Sequence, residues 1–124
     1  MGEVVHSIRI KGLRIKRVNA LFDSGASTTF IRNDLANELG LSRFQEVSTY
    51  LANRSGSKGI LTEVTILINN MSVPTRAIIV DDLDRQLIIG VDFMQTIKSF
   101  LDFTSDRLRF KDEVKLMKSH RYRL

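Results

Sequence analysis

The sequence predicts an all-β domain with one or two short helices. Apolar residues recur at a spacing near two from Val4 to Leu21, further strand-like apolar runs follow, turn-forming residues punctuate them, and only two brief segments carry helical character. At 124 residues, against roughly 100–200 per domain, the chain is expected to form one domain. Its composition of 43% apolar and 27% charged residues is that of a globular protein able to bury a core, which argues against wholesale disorder.

Between Val4 and Leu21, residues Ile8, Ile10, Leu13, Ile15, Val18 and Leu21 alternate with polar ones. Lys11-Gly12 interrupts them where a tight reversal would fall, so the segment reads as a β-hairpin whose second strand ends at Asp23-Ser24-Gly25. Ile31, Leu35 and Leu39 stand four apart and are followed by Gly40, the pattern of a short amphipathic helix with a glycine C-cap or a turn-rich equivalent. Val47 to Ala52 reads as a strand, and Asn53-Arg54-Ser55-Gly56-Ser57-Lys58-Gly59 as the polar tip of a hairpin.

The second half repeats this outline. Val64 to Ile68 is strand-like, Asn69-Asn70 a turn, Val73 to Val80 another strand, and Leu87-Ile88-Ile89-Gly90 a buried apolar segment ending in glycine. Asp92 to Lys98 has the character of a helical turn or two with Asp92 near its N-cap. Both halves therefore run hairpin, apolar strand, glycine loop, helix, which suggests two structurally similar halves. Phe100 to Phe103 and Arg107 to Phe110 form a closing hairpin, and the basic remainder from Lys111 to Leu124 reads as a frayed helix or tail. The folded domain is accordingly expected over residues 1–110, with 111–124 as a basic C-terminal extension.

Charge is unevenly spread. Residues 1–22 sum to +4, residues 107–124 to +5 and the intervening segment to −4, giving the net +5. A basic total is compatible with nucleic acid, but the segment with the most distinctive residues is acidic and the bases lack aromatic neighbours, so nucleic-acid binding is disfavoured. No apolar run approaches the roughly 20 residues of a spanning helix, and neither a signal peptide nor a myristoylation pattern opens the chain. No membrane partner is expected. The absence of cysteine excludes disulfides, thiolate metal sites and a cysteine nucleophile, and is consistent with a cytoplasmic, reducing setting.

An acidic residue directly after the apolar strand Ala20-Leu21-Phe22 must turn, cap or work. Asp23 could close an Asx-type turn with Ser24 and Ser27 as local hydrogen-bonders, while Gly25 permits close backbone approach. The local residues leave both a structural turn and a working carboxylate open. Asp81-Asp82-Leu83-Asp84 lacks the ordered ligand spacing of a calcium loop and reads as a solvated turn. His6 and His120 have no ligand partner at metal spacing, and Val114 and Met117 among bases fit a solubilising tail.

Leu21-Phe22-Asp23-Ser24-Gly25-Ala26 resembles the apolar-apolar-Asp-Thr/Ser-Gly-Ala signature of the retropepsin-like aspartic proteases. Leu87-Ile88-Ile89-Gly90 followed by Val91-Asp92-Phe93-Met94 is similar to their second signature, a polar glycine-containing hairpin lies between the two, and Leu101-Asp102-Phe103 falls in the closing hairpin. The resemblance spans about residues 4–110. In character it is nearest the retropepsin-like domain of DNA-damage-inducible ubiquitin-shuttle proteins and related cellular or prokaryotic members.

The resemblance implies a closed barrel that forms a homodimer. It also implies peptide-bond hydrolysis by a water held between Asp23 and the Asp23 of an identical second chain, because one chain carries only one such signature. Ser24, Gly25 and Ala26 would form the active-site loop, and Asn53, Arg54, Ser55, Gly56 and Ser57 the flap closing over a peptide or protein substrate. Asp92 precedes no Ser-Gly or Thr-Gly, so helix capping accounts for it better than a second catalytic role. Neither metal nor organic cofactor is implied. The polar flap tip departs from the apolar glycine-rich flaps of viral members, which keeps a non-catalytic peptide-binding or dimerisation module as the alternative.

Overall fold

The computed structural model describes residues 3–51, 54–102 and 107–110. Strand β1 (Glu3–Lys11) turns back into β2 (Ile15–Asp23), with all nine pairs in register from Glu3 opposite Asp23 to Lys11 opposite Ile15. Gly12 lets the reversal lie close against Leu39 and Leu41. A Cβ there would stand 2.6 Å from the Leu39 carbonyl oxygen, which itself accepts the Leu13 N–H at 2.8 Å.

After the loop that follows Asp23 come β3 (Phe30–Arg32) and α1 (Asn33–Leu39). Ile31, expected at the head of the helix, belongs to the strand. Its Cα neighbours Ile79 on one side and Leu87 on the other, and this two-sided pairing of a fully buried isoleucine outweighs the helical spacing it shares with Leu35 and Leu39. The expected glycine cap is present. Gly40 takes φ 68°, its N–H donates to the Asn37 carbonyl at 3.1 Å, and the Leu41 N–H donates to that of Ala36 at 3.0 Å, a Schellman closure.

Strands β4 (Gln45–Leu51) and β5 (Arg54–Ile68) form the polar hairpin, and β6 (Met71–Val80) follows. The strands of the hairpin are longer than expected. Arg54, Ser55, Gly56 and Ser57 lie on β5, with Ser57 opposite Thr49 and Arg54 opposite Leu51; Asn53 lies outside the described residues. Turn-forming composition yields here to ladder pairing. Gly59 is buried on β5 where a Cβ would fall 2.3 Å from Ile78 Cγ2, so this glycine serves close strand packing. The Asn69-Asn70 turn is as expected, both residues having positive φ (51° and 63°), which a type I′ hairpin turn requires.

Strand β7 (Leu87–Ile89), α2 (Val91–Thr96) and the antiparallel pair β8 (Ser99–Asp102) and β9 (Arg107–Phe110) complete the chain. The extension 111–124, with His120, Val114 and Met117, lies outside the described residues.

The main sheet runs β1-β2-β7-β3-β6-β5-β4 and closes through β1 and β5, with Ile10 opposite Ile66. A six-stranded barrel results, with β4 added at the outer side of β5. Period-two alternation puts Ile8, Ile10, Val18, Ala20, Phe22, Val64 and Ile66 inside, joined by Leu35 and Leu39 of α1 and Phe93 of α2. Closure leaves few open edges, which are the usual liability of an all-β chain. A smaller apolar cluster of Phe30, Val80 and Leu83, with Ile78 and Ile88 against it, flanks β3.

Candidate active site

The site begins with strand order. Strand β7 lies parallel to β2, pairing Ile88 with Leu21 and Ile89 with Phe22. Parallel pairing ends both strands at the same level, so the loop opened by Asp23 and the loop opened by Gly90 emerge side by side. Phe22, fully buried, anchors the strand directly before Asp23.

Asp23 is the last residue of β2 and is half-buried. Its Oδ1 accepts the Gly25 N–H at 2.8 Å, and its carbonyl accepts the Ala26 N–H at 3.1 Å. These bonds form the Asx-type turn expected from the local residues, and they also fix the carboxylate. Ser24 and Gly25 are exposed while Thr29, at the far end of the loop, has no exposed surface. The loop therefore runs from the half-buried Asp23 through an exposed tip at Ser24-Gly25 to a buried end at Thr29.

The second glycine loop supports the first. Val91 N–H donates to the Ala26 carbonyl at 2.8 Å, and Gly90 N–H donates to Thr29 Oγ1 at 3.1 Å. Gly90 is required at this crossing, since a Cβ would stand 2.5 Å from the Thr28 carbonyl oxygen and 2.8 Å from that of Ala26.

Asp92 does not act as the helix N-cap. That position is Gly90, and Asp92 lies inside the first turn of α2. Its Oδ1 accepts from the Thr29 hydroxyl at 2.9 Å and from the Phe93 N–H at 2.7 Å, and its Oδ2 accepts the Thr29 N–H at 3.3 Å. The carboxylate thus ties α2 to the loop of Asp23 across 63 positions of sequence. Thr29 was not singled out by sequence reasoning. The signal present was the hydroxyl run Ser27-Thr28-Thr29 leading into an apolar strand, where a buried hydroxyl must find partners.

Elsewhere, His6 is exposed and stands edge-on to Phe22 with ring centroids 6.2 Å apart. Leu83 of the Asp81–Asp84 run is buried in the smaller apolar cluster. Among the described residues no three His, Cys, Asp or Glu side chains converge as metal ligands, and no helix is long and apolar enough to cross a membrane.

The family model described as gag-polyprotein putative aspartyl protease matches residues 7–96. Among solved structures, the retroviral protease-like domain of Ddi1 from Leishmania major superposes with a TM-score of 0.61 at 16% identity, covering 90% of each chain. The EIAV protease, complexed with the inhibitor HBY-793, gives 0.63 at 20% identity over 82% of this chain and 93% of its own. A retropepsin-like aspartic protease from Rickettsia conorii gives 0.62 at 18% identity over 79% and 76%. These likenesses show the fold to be retropepsin-like.

Proposed function

The chain belongs to the gag-polyprotein putative aspartyl protease family, and from that premise we propose that it is an aspartic endopeptidase whose Asp23 pairs with the Asp23 of an identical second chain. The observation that carries the reading is that the chain has a single Asp-Ser-Gly sequence and holds its carboxylate fixed at the start of an exposed loop. Asp23 projects from an open loop, its Oδ1 held by the Gly25 amide at 2.8 Å, and a single carboxylate cannot be base and acid at once.

Pairing supplies the missing chemistry. Two carboxylates within hydrogen-bond reach cannot both hold full charge, so they share a proton and titrate as a unit. One draws a proton from the lytic water while the other donates to the scissile carbonyl. In this reading Ser24 hydrogen-bonds across the twofold axis to hold the two loops, and Gly25 and Ala26 present backbone to the substrate. The hairpin tip, Asn53 to Ser57, closes over an extended peptide that adds as a strand. Residues 1–110 constitute the protease domain and 111–124 a basic extension. Hydrolysis needs no metal or organic cofactor, and the cysteine-free chain suits a reducing, intracellular setting.

The test incubates the protein and Asp23→Asn with a mixed peptide library at acidic and neutral pH. The reading expects cleavage by the first and none by the second. Equal cleavage by both would remove Asp23 from the mechanism. Saturable peptide binding without cleavage would instead favour a non-catalytic binding or dimerisation module, the rival that the polar hairpin tip supports.

A further inference from the structure

We infer that Asp92 and Thr29 are positioning residues for Asp23, a role that rests on the reading of Asp23 as half of a hydrolytic dyad. Thr29 has every hydrogen-bonding group engaged. Its N–H and hydroxyl donate to Asp92, its Oγ1 accepts from Gly90 N–H, and its carbonyl accepts the Ile78 N–H at 3.0 Å. It is also completely buried, so its side chain reaches the reacting atoms only through the loop it ends.

The path from Asp92 to the carboxylate is continuous. Asp92 fixes Thr29, Thr29 and Val91 fix the two sides of the crossing under Gly90, and Val91 N–H holds the Ala26 carbonyl at 2.8 Å. Ala26 N–H in turn bonds the Asp23 carbonyl at 3.1 Å, and the neighbouring Gly25 N–H bonds Asp23 Oδ1 at 2.8 Å. Loosening Thr29 therefore frees the peptide units that aim the Asp23 carboxylate. A displacement of about 1 Å in such a group costs on the order of 100-fold in rate.

A purely structural role would lower stability without a kinetic signature, and Thr62 provides the control. It is likewise fully buried, and its hydroxyl donates to the Ser42 carbonyl, far along the chain from the Asp23 loop. The variants to compare are Thr29→Val, Thr29→Ser, Asp92→Asn and Thr62→Val. The measurements are thermal midpoint, kcat and KM on a peptide cleaved by the wild type, and amide hydrogen exchange at Gly25 and Ala26.

Thr29→Val and Asp92→Asn should each lower kcat at least about tenfold with KM within about twofold, and should speed exchange at Gly25 and Ala26. Thr29→Ser, which keeps the hydroxyl, should restore kcat to within about threefold of wild type. Thr62→Val should lower the midpoint while leaving kcat and both amides as they were. Unchanged exchange at Gly25 and Ala26 in Thr29→Val, or a kcat loss matched by Thr62→Val, overturns the inference. Should Thr29→Val fail to fold, Asp92→Asn, equal in shape to the wild type, carries the same comparison. If the wild type cleaves nothing, the hydrolase reading falls, while exchange at the two amides still decides whether Asp92 and Thr29 hold the loop.

Discussion

Gly90 lies against Thr28 with no room for a side chain, a Cβ at position 90 falling 2.5 Å from the Thr28 carbonyl oxygen. Two loops that emerge side by side from parallel strands β2 and β7 are thereby packed backbone on backbone. The obstacle is main chain at both Thr28 and Ala26, which has no rotamer to give way. Gly90→Ala should therefore cost about 1–3 kcal/mol or more and displace the Asp23 loop. Urea unfolding of the variant measures the first effect, and the loss of the Ala26–Val91 amide protection reports the second. Wild-type stability in Gly90→Ala would contradict the crossing.

The β5–β6 turn rests on two asparagines with positive φ. Asparagine tolerates this region better than other residues with a side chain, and a β-branched residue tolerates it poorly. Asn70→Val should destabilise by about 1–2 kcal/mol, whereas Asn70→Gly should be neutral or stabilising because Asn-Gly is a preferred pair for this turn. Denaturant midpoints of the two variants should move in opposite directions or diverge; equal midpoints would rule out the left-handed geometry at position 70.

Arg32 donates to both carboxylate oxygens of Asp34, at 2.8 and 3.1 Å. That hydrogen bond holds the Asp34 carboxyl below its ordinary range and the Arg32 guanidinium above its own. A carboxyl depressed in the folded state contributes stability that is complete above its unfolded pKa, about 3.9, and is lost as pH falls through the lower folded value. Exposure to solvent keeps the contribution small. The stability gap between wild type and Asp34→Asn should thus be open near neutrality and should close at pH values below the carboxylate range. A gap independent of pH would disprove the pairing.

Local patterns carried much of the architecture. The Gly12 reversal, the Asn69-Asn70 turn, the Gly40 cap and the alternation in β1 and β2 were legible because each depends on neighbours a few residues away. The elements misplaced are those decided at long range. Ile31 shares helical spacing with Leu35 and Leu39, yet its pairing with Ile79 and Leu87 makes it a strand residue. Ser57 to Gly59 have turn composition but pair in β5 with Val47 to Thr49 of β4, and Gly59 is fitted against Ile78.

The site divides in the same way. Asp23-Ser24-Gly25 is contiguous and carries its own turn, so it could be recognised along the chain. Its support could not. Thr29 and Asp92 are 63 residues apart and meet only because β2 and β7 run parallel, so a periodicity reading of either segment leaves Asp92 as a helix cap.

The central claim is that one hydrolytic centre is assembled from two copies of Asp23. Wild-type chains should be co-refolded with an equal amount of Asp23→Asn chains and assayed at fixed total protein. If every active centre needs two intact aspartates, random pairing leaves activity at about one quarter of the all-wild-type value. Activity at about one half, the value expected when each chain works alone, would contradict it.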